Sequence, residues 1–354
     1  MHTEQIDRTR DRIRDLARTA SHAEEYRQGM LRLVGEVVPW DGAVLTALDP
    51  ATHLVTAATL LDLDSSRCAT AIEIELAECD GNLYTALARQ TPGVAVLSHA
   101  VGGDMARSAR YRDLYRPAGL HDELRAVARA GGSCWGALSL ARRPGHNFTD
   151  DDIAALATLE GAIADGLRVM LLRAVGAAAS DRQAAGPAVI VLDSAGEVES
   201  CTAEALDLLA GLSWREVDLP ALLLPVRSAA ARLRRGSRDV AGVRLHAVDG
   251  SWLLLHAAPL CSTNGTSRTV VTIEPARPPE VVSIVAAVIG LTARETEVLE
   301  HLLAGHTSIE IGRKLYLSPY TVNDHVQHIF DKAGVRNRKE LMTWLFFSHY
   351  SQGA

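Results

Sequence analysis

The stretch LTARETEVLEHLLAGHTSIEIGRKLYLSPYTVNDHVQHIFDKAGVRNRKEL, residues 291–341, decides the fold of the C-terminal part of the chain. It holds four helix starts. Thr292 and Glu295 form an S/T-x-x-E capping box, in which the two residues satisfy each other's orphan backbone donors. Val298, Leu299, Leu302 and Leu303 follow at helical spacing, and Gly305 stands where a glycine ends a helix. Thr307 and Glu310 repeat the box ahead of Ile311 and Leu315. Ser318 and Pro319 read as an N-cap followed by proline at the first helical position, where its missing N–H costs nothing. That helix runs to Gly334, and Asn337 with Glu340 starts a fourth, carrying Leu341, Trp344 and Leu345.

Only Tyr316 and Leu317 part the second and third helices, which is the arrangement of a helix-turn-helix. On a helical wheel, Val322, Val326, Ile329, Phe330 and Ala333 share the core side of the third helix. Tyr320, Asp324, Gln327, His328 and Asp331 fall opposite, with Asn323 at the edge. Such a face can hydrogen-bond base edges.

T-x-R-E-x-E-V-L, G-x-x-x-x-E-I, L-S-P-x-T-V-x-x-H and K-x-G-V-x-x-R-x-E-L, in this order and spacing, resemble the LuxR-type DNA-binding domain. The resemblance implies contacts to double-stranded DNA from Thr307, Ser308, Ser318, Tyr320, Thr321, Asn323, Asp324, Gln327, His328, Lys332, Arg336, Arg338 and Lys339. Three positions depart from the family pattern. Gly312 stands where alanine is usual, Asn323 where Lys or Gln is frequent, and Asp324 adds a negative charge to the presumed DNA face.

At 354 residues the chain is long enough for two or three domains, and its 47% hydrophobic content supplies packed cores. The net charge of −7 is compatible with DNA binding if cations are local. Residues 281–354 hold Arg294, Arg313, Lys314, Lys332, Arg336, Arg338 and Lys339 against an equal number of carboxylates. One such unit should bind DNA weakly alone, so a homodimer is expected. Five scattered cysteines without C-x-x-C fit a reducing cytoplasm. The charged N-terminus is unlike a signal peptide, and no apolar run reaches the length of a membrane span.

Upstream, residues 3–34 read as helical, packed on their own domain or shared across a dimer. DGAVLTALD and HLVTAATL form a hairpin, GVAVLSHA a strand, residues 104–118 a helical stretch, and HDELRAVARA with GSCWGALSLARRPG two more strands. A long helix follows from Asp150, continuing to about residue 183. Leu156, Leu159, Ile163, Leu167, Met170 and Ala174 lie on one of its faces, as a core face or a coiled-coil seam. V-P-W-D-G-A-V at 38–44, W-G-A-L-S-L at 135–140 and F-T-D-x-D at 148–152 make residues 1–178 resemble a GAF-type domain, an antiparallel sheet with flanking helices used for sensing or dimerisation. Few aromatics, chiefly Trp40, Tyr84 and Trp135, favour a small aliphatic or polar ligand over a haem or tetrapyrrole.

Residues 186–275 follow a β-β-α…β-β-β order, with an Asp249-Gly250 hairpin turn and an Arg-rich helix in 220–238, and resemble a reduced PAS-like domain. Residues 276–286, containing two prolines, read as a linker to the DNA-binding unit at 287–354. The fold class is therefore multidomain α+β: a GAF-like sheet, a PAS-like middle, and an all-α four-helix C-terminal unit.

No P-loop, H-E-x-x-H, G-x-S-x-G or paired metal-ligand set is present, and no phosphoacceptor receiver is evident. Neither enzymatic activity nor a cofactor or metal is expected. The reading is a cytoplasmic transcriptional regulator responding to a small molecule or partner, with RNA polymerase as a further candidate partner. The alternative is an antagonist with a weakened DNA-binding unit that acts by heterodimerisation.

Overall fold

A computed structural model of the chain describes residues 2–77, 80–175, 186–212, 223–234, 242–247, 252–260, 267–276 and 278–350. The N-terminal helical stretch is broken in two, α1 (His2–Thr19) and α2 (Ala23–Gly35). The break lies at residues 20–22, where the His22 ring accepts from the Glu25 N–H and caps α2. Strands β1 (Gly42–Leu48), β2 (Val55–Leu61), β3 (Val94–Val96), β4 (Asp122–Ala130) and β5 (Ser133–Arg142) form an antiparallel sheet in the order β2-β1-β5-β4-β3. Helix α3 (Cys68–Ala77) lies in the long connection after β2. GVAVLSHA is strand only over β3; Leu97–Ala100 turns helical. Residues 104–118 form short 3₁₀ and π turns rather than a regular helix.

The period-two alternation of the strands gives this sheet two different faces. Ala43 and Leu45, Leu124 and Ala126, and Leu138 and Leu140 point to a core made with α1, α2 and helix α4 (Asp150–Val175). Leu156, Ile163 and Met170 belong to that core, at 0%, 2% and 5% exposure. The coiled-coil seam is therefore overturned: α1 covers this face within the same chain, and Ile6, Ile13 and Ala17 interleave with it. Gly166 permits the close approach of α2 as well, because a Cβ there would lie 2.0 Å from the Tyr26 hydroxyl. That hydroxyl donates to the Ile163 carbonyl at 3.1 Å. The expected extension of α4 to residue 183 lies outside the described residues.

A second antiparallel sheet repeats the same strand order, β7-β6-β10-β9-β8. Its strands are β6 (Ala188–Leu192), β7 (Val198–Cys201), β8 (Val243–His246), β9 (Trp252–Leu260) and β10 (Arg268–Pro275). Helices α5 (Ala203–Ala210) and α6 (Leu224–Arg234) cover one face, with Leu192, Val226, Ala230, Leu255 and Val271 between them. On the other face Trp252 and Leu254 join the core of the first unit. The Asp249-Gly250 turn lies outside the described residues; β8 and β9 pair as expected of it, with His246 opposite Trp252.

Residues 276–286 are not a free linker. Helix α7 (Pro278–Ile289) occupies most of the segment. Val281, Ile284 and Val288 pack into the core of the first unit, while Val282, Val285 and Ala286 pack into that of the last. Apolar side chains on two faces turn a proline-rich segment into a shared wall, and the prolines sit at the helix start where they are tolerated.

The last unit consists of α8 (Ala293–Leu303), α9 (Ser308–Leu315), α10 (Pro319–Ala333) and α11 (Arg338–Tyr350). Val298, Leu299, Ile311, Val322, Ile329, Phe330, Leu341 and Leu345 form its core with α7. The fold is thus α+β with two antiparallel sheets and a helical C-terminal unit. Among the described residues, no helix is long and apolar enough to cross a membrane.

One buried ion pair links all three parts. Arg244 of β8 donates to both carboxylate oxygens of Asp49, at 2.8 and 2.7 Å, just beyond β1. The Asp49 side chain is 0% exposed and that of Arg244 7%. The remaining Arg244 nitrogen donates to the Glu280 carbonyl at 3.1 Å and to the Ser283 hydroxyl, both on α7. Removing one partner from a buried pair leaves an uncompensated charge and costs about 3–5 kcal/mol. Asp49→Ala and Arg244→Met should each lower the urea midpoint accordingly. The double replacement should recover most of the loss; unchanged midpoints for the single variants would show the pair to be idle.

Candidate nucleic-acid interface and sensory cavity

The helix-turn-helix is set by its caps. The Thr307 hydroxyl accepts from the Glu310 N–H, and the Glu310 carboxylate accepts from the Thr307 N–H at 2.7 Å. Helix α9 ends at Tyr316, which is left-handed at φ 57°. Ser318 then caps α10, accepting from Thr321 N–H at 3.0 Å. Gly312 lets the turn between them close tightly, since a Cβ there would stand 2.7 Å from the Leu317 carbonyl oxygen and the turn would have to shift to hold one. The Leu317 N–H donates to the Gly312 carbonyl across this contact.

Helix α10 buries Val322, Ile329 and Phe330 and half-buries Val326 and Ala333. Tyr320, Asn323, Asp324, Gln327, His328 and Lys332 are exposed on its other side, and His325 lies at the edge, partly buried. Thr321 and Ser308 are partly buried; Thr307 and Ser318 are exposed. Several of these polar groups already have partners. Ser308 donates to the Asn323 side-chain oxygen at 2.7 Å, tying α9 to α10. The Gln327 amide donates to Asp331 at 2.9 Å.

The cations fall into two groups. Lys332 pairs with the buried Glu295 at 2.6 Å, and the His328 ring stands 3.9 Å from the same carboxylate. Arg338 donates to the carbonyls of Leu302 and His306, at 2.6 and 3.1 Å, closing the C-terminal end of α8. Arg336 and Lys339, by contrast, are exposed. The expected set omits three exposed residues beside the turn: Arg313, Lys314 and Tyr316, the last 96% exposed. Arg313 and Lys314 were readable as the solvent face of α9, whose apolar stripe runs through Ile311 and Leu315. Tyr316 had no such signal, because its exposure follows from the left-handed turn.

Glu295 serves as the capping-box acid of α8 and the partner of Lys332. Burial alone would raise its carboxyl, but hydrogen bonds from Lys332 and Thr292 outweigh that and hold it below its ordinary value. A depressed carboxyl stabilises the fold above its unfolded pKa of about 4.3 and loses that contribution as pH falls through the lower folded value. The helical unit should therefore lose stability below about pH 4. Glu295→Gln should remove most of that acid-dependent part. Circular dichroism melts of both proteins from neutral to acid pH measure this, and parallel pH profiles would exclude it.

A second polar constellation lies on the outward face of the first sheet. Glu123 accepts from Arg110 Nε at 2.8 Å, from the Tyr115 hydroxyl at 2.5 Å and from Ser139 at 2.7 Å. Arg125 meets Glu75 at 2.8 Å and stacks 3.5 Å above the Tyr84 ring. Burial alone would raise the Glu123 carboxyl, but Arg110 and Arg125 bring it below its ordinary value. Burial raises the phenols of Tyr84 and Tyr115. These groups border a cavity of ≈ 190 Å³. Of the aromatics expected around a ligand, only Tyr84 lines it. Trp40 and Trp135 pack on the helix-covered face, and Tyr115 was missed. Among the described residues no cluster suits a metal ion.

Residues 290–345 match the family described as "Bacterial regulatory proteins, luxR family". The CsgBAC operon transcriptional regulatory protein of Escherichia coli is 41% identical over 54 residues, 15% of this chain and 25% of that protein. The chain thus spans about a quarter of that relative's length. The spore germination protein GerE of Bacillus subtilis is 38% identical over 55 residues, 16% of this chain and 74% of that protein. The GAF domain of a phosphoenolpyruvate-protein phosphotransferase from Coxiella burnetii aligns over 48% of this chain and 96% of that domain. Its TM-score is 0.35 and its identity 16%.

Proposed function

Because the chain belongs to the luxR family of bacterial regulatory proteins, we propose that it is a DNA-binding transcriptional regulator controlled through its N-terminal units. The observation that carries this reading is the exposed polar face of α10, held out by a capped turn and flanked by free cations. Residues 1–178 are the GAF-like sensory or dimerisation domain and residues 186–275 the PAS-like domain. Residues 287–354 bind DNA, and α7 takes the place of the expected linker. The protein works in the cytoplasm as a homodimer, because dimers match operators with two half-sites about one helical turn apart. RNA polymerase is the partner through which such a regulator acts. The dimer contact lies elsewhere than Leu156, Ile163 and Met170, which the chain covers itself.

Asn323, Asp324, Gln327 and His328 read base edges, with Tyr320 and Thr321 at the entry of α10. Gln327 reads adenine once its amide leaves Asp331. Asp324 accepts from a cytosine amino group, the base-edge donor a carboxylate can use. Thr307, Ser308, Ser318, Arg336, Lys339, Arg313 and Lys314 meet phosphate, which sets register rather than sequence. Lys332 contributes less because Glu295 neutralises it, and Arg338 acts mainly by holding α8. The exposed Asp324 and the paired Lys332 also favour a second reading, an antagonist with weakened DNA affinity that pairs with a related chain.

The test is affinity against log salt on a selected duplex and a scrambled one. Gln327→Ala should cost about 1–3 kcal/mol on the selected duplex only. Arg336→Ala should weaken both alike and flatten the salt slope by about one. Equal effects of both variants on both duplexes would sink the assignment of α10 to the major groove. No preference for any genomic fragment would favour the antagonist.

In contrast to Arg336→Ala, Arg338→Ala should lower the melting temperature of the helical unit as well as its DNA affinity. The reason is that Arg338 donates to the carbonyls of Leu302 and His306. Thermal melts of the two variants side by side check this; equal melting temperatures would return Arg338 to the phosphate contacts.

A further inference from the structure

A polar contact joins α9 to α10 on the exposed side of the helix-turn-helix. The Ser308 hydroxyl donates to Asn323 Oδ1 at 2.7 Å, an ordinary length for an O–H···O bond. Both ends are fixed by their surroundings. Ser308 opens α9 directly after the Thr307 cap, and Ile311 in the same turn is 0% exposed. Asn323 follows Val322, which is also 0% exposed. The bond from the Leu317 N–H to the Gly312 carbonyl closes the turn between the two helices.

An asparagine amide has a donor edge and an acceptor edge of nearly the same shape, and half a turn of the amide exchanges them. Its partners within the protein therefore decide which edge meets DNA. A serine hydroxyl has one proton to give, and here Oδ1 receives it. The amide oxygen is thus turned toward α9, which leaves the NH2 of the exposed Asn323 as the group for the groove. In the major groove guanine, adenine and thymine each show an acceptor, at N7, O6 or O4, whereas cytosine shows only its amino donor. The neighbouring Asp324 has the opposite polarity, because a carboxylate accepts and does not donate.

We infer that Ser308 is a positioning residue for sequence specificity: it holds the Asn323 amide with its NH2 outward, so that Asn323 selects a base with a major-groove acceptor and rejects cytosine. The inference rests on the DNA-binding reading of α10 and names the base class that one of its residues reads. With the hydroxyl proton committed to Asn323, what Ser308 brings to phosphate is its backbone N–H, one of the first-turn donors that no carbonyl of the helix reaches. Asn323 and Asp324 then present a donor and an acceptor on successive residues. The half-site they read combines an acceptor-bearing base with a cytosine.

The test is selection by the full chain from a pool of randomised double-stranded oligonucleotides, followed by affinities for the selected duplex and its single-base variants. Asn323→Ala locates the base in question as the position where preference flattens. There the unaltered chain should bind the cytosine duplex about fivefold or more weakly than the best base. Ser308→Ala frees the amide to turn, and that ratio should fall by about two- to tenfold, the range set by one hydrogen bond. Ser308→Thr keeps the hydroxyl and should retain the ratio. Asn323→Asp keeps the acceptor but removes the donor, and should favour cytosine at that position. Cytosine as the best base for the unaltered chain, an unchanged ratio in Ser308→Ala, or no position flattened by Asn323→Ala overturns the inference. So does a Ser308→Ala loss shared equally by all duplexes, as a phosphate contact would give, or a Ser308→Thr profile like that of Ser308→Ala. Each of these results leaves a selected duplex in place. Failure to select any duplex would instead overturn the regulator reading, and this inference with it.

Discussion

The structure depends on a guanidinium removed from water and held by three parts of the chain at once. Arg244 comes from the second sheet, its carboxylate partner Asp49 from the end of β1, and its remaining acceptors from α7. Asp49 is preorganised for this, since its Oδ1 also accepts from the Ala51 and Thr52 N–H groups at 2.9 and 3.2 Å. A buried pair of this kind adds little net stability over a hydrophobic substitute. Its value is geometric. A fork of donors is satisfied only when sheet, sheet and helix stand in one arrangement, whereas apolar surfaces tolerate sliding.

Around that point the units share cores instead of merely touching. Trp252 and Leu254 of the second sheet lie with the helices of the first, and Leu54 of the first unit lies in the core of the second. Helix α7 divides its side chains between two cores. Packed contacts and one bidentate ion pair therefore join the first sheet to the C-terminal unit. The two sheets also show how the same strand order serves different ends. Helices cover one face of the first sheet fully, and a charged, partly hollow layer lies on the other.

The C-terminal unit divides its cations between holding the fold and facing solvent. Lys332 sits on Glu295, and Arg338 on the Leu302 carbonyl at the end of α8, where a cation is favoured by the helix dipole and by the orphan acceptors. Arg336, Lys339, Arg313 and Lys314 face solvent. With Asp324 and Asp331 on the exposed side of α10, electrostatic attraction to a polyanion comes from the flanks of that helix.

Local chemistry alone determined much of this protein. Both capping boxes, the Ser318-Pro319 start, the helix-ending glycines 305 and 334 and the two faces of α10 were legible, because caps and periodicity act within a few residues. So were most strands, where alternation and turn residues mark a half-buried sheet. What the tertiary structure decided were questions of partner. The apolar face of α4 fits a neighbour in the same chain or in another equally well, and only packing showed that α1 covers it. The Pro-rich segment before residue 287 reads as a linker until two cores are seen to meet on it. That Arg338 donates to the carbonyls of Leu302 and His306 is invisible in its motif, because those acceptors lie more than thirty residues away in the chain. Asp49, Arg244, Glu123 and Arg110 are far apart in sequence and carry no motif. Their pairing comes from strand register and from the docking of one unit on another, which local periodicity does not encode.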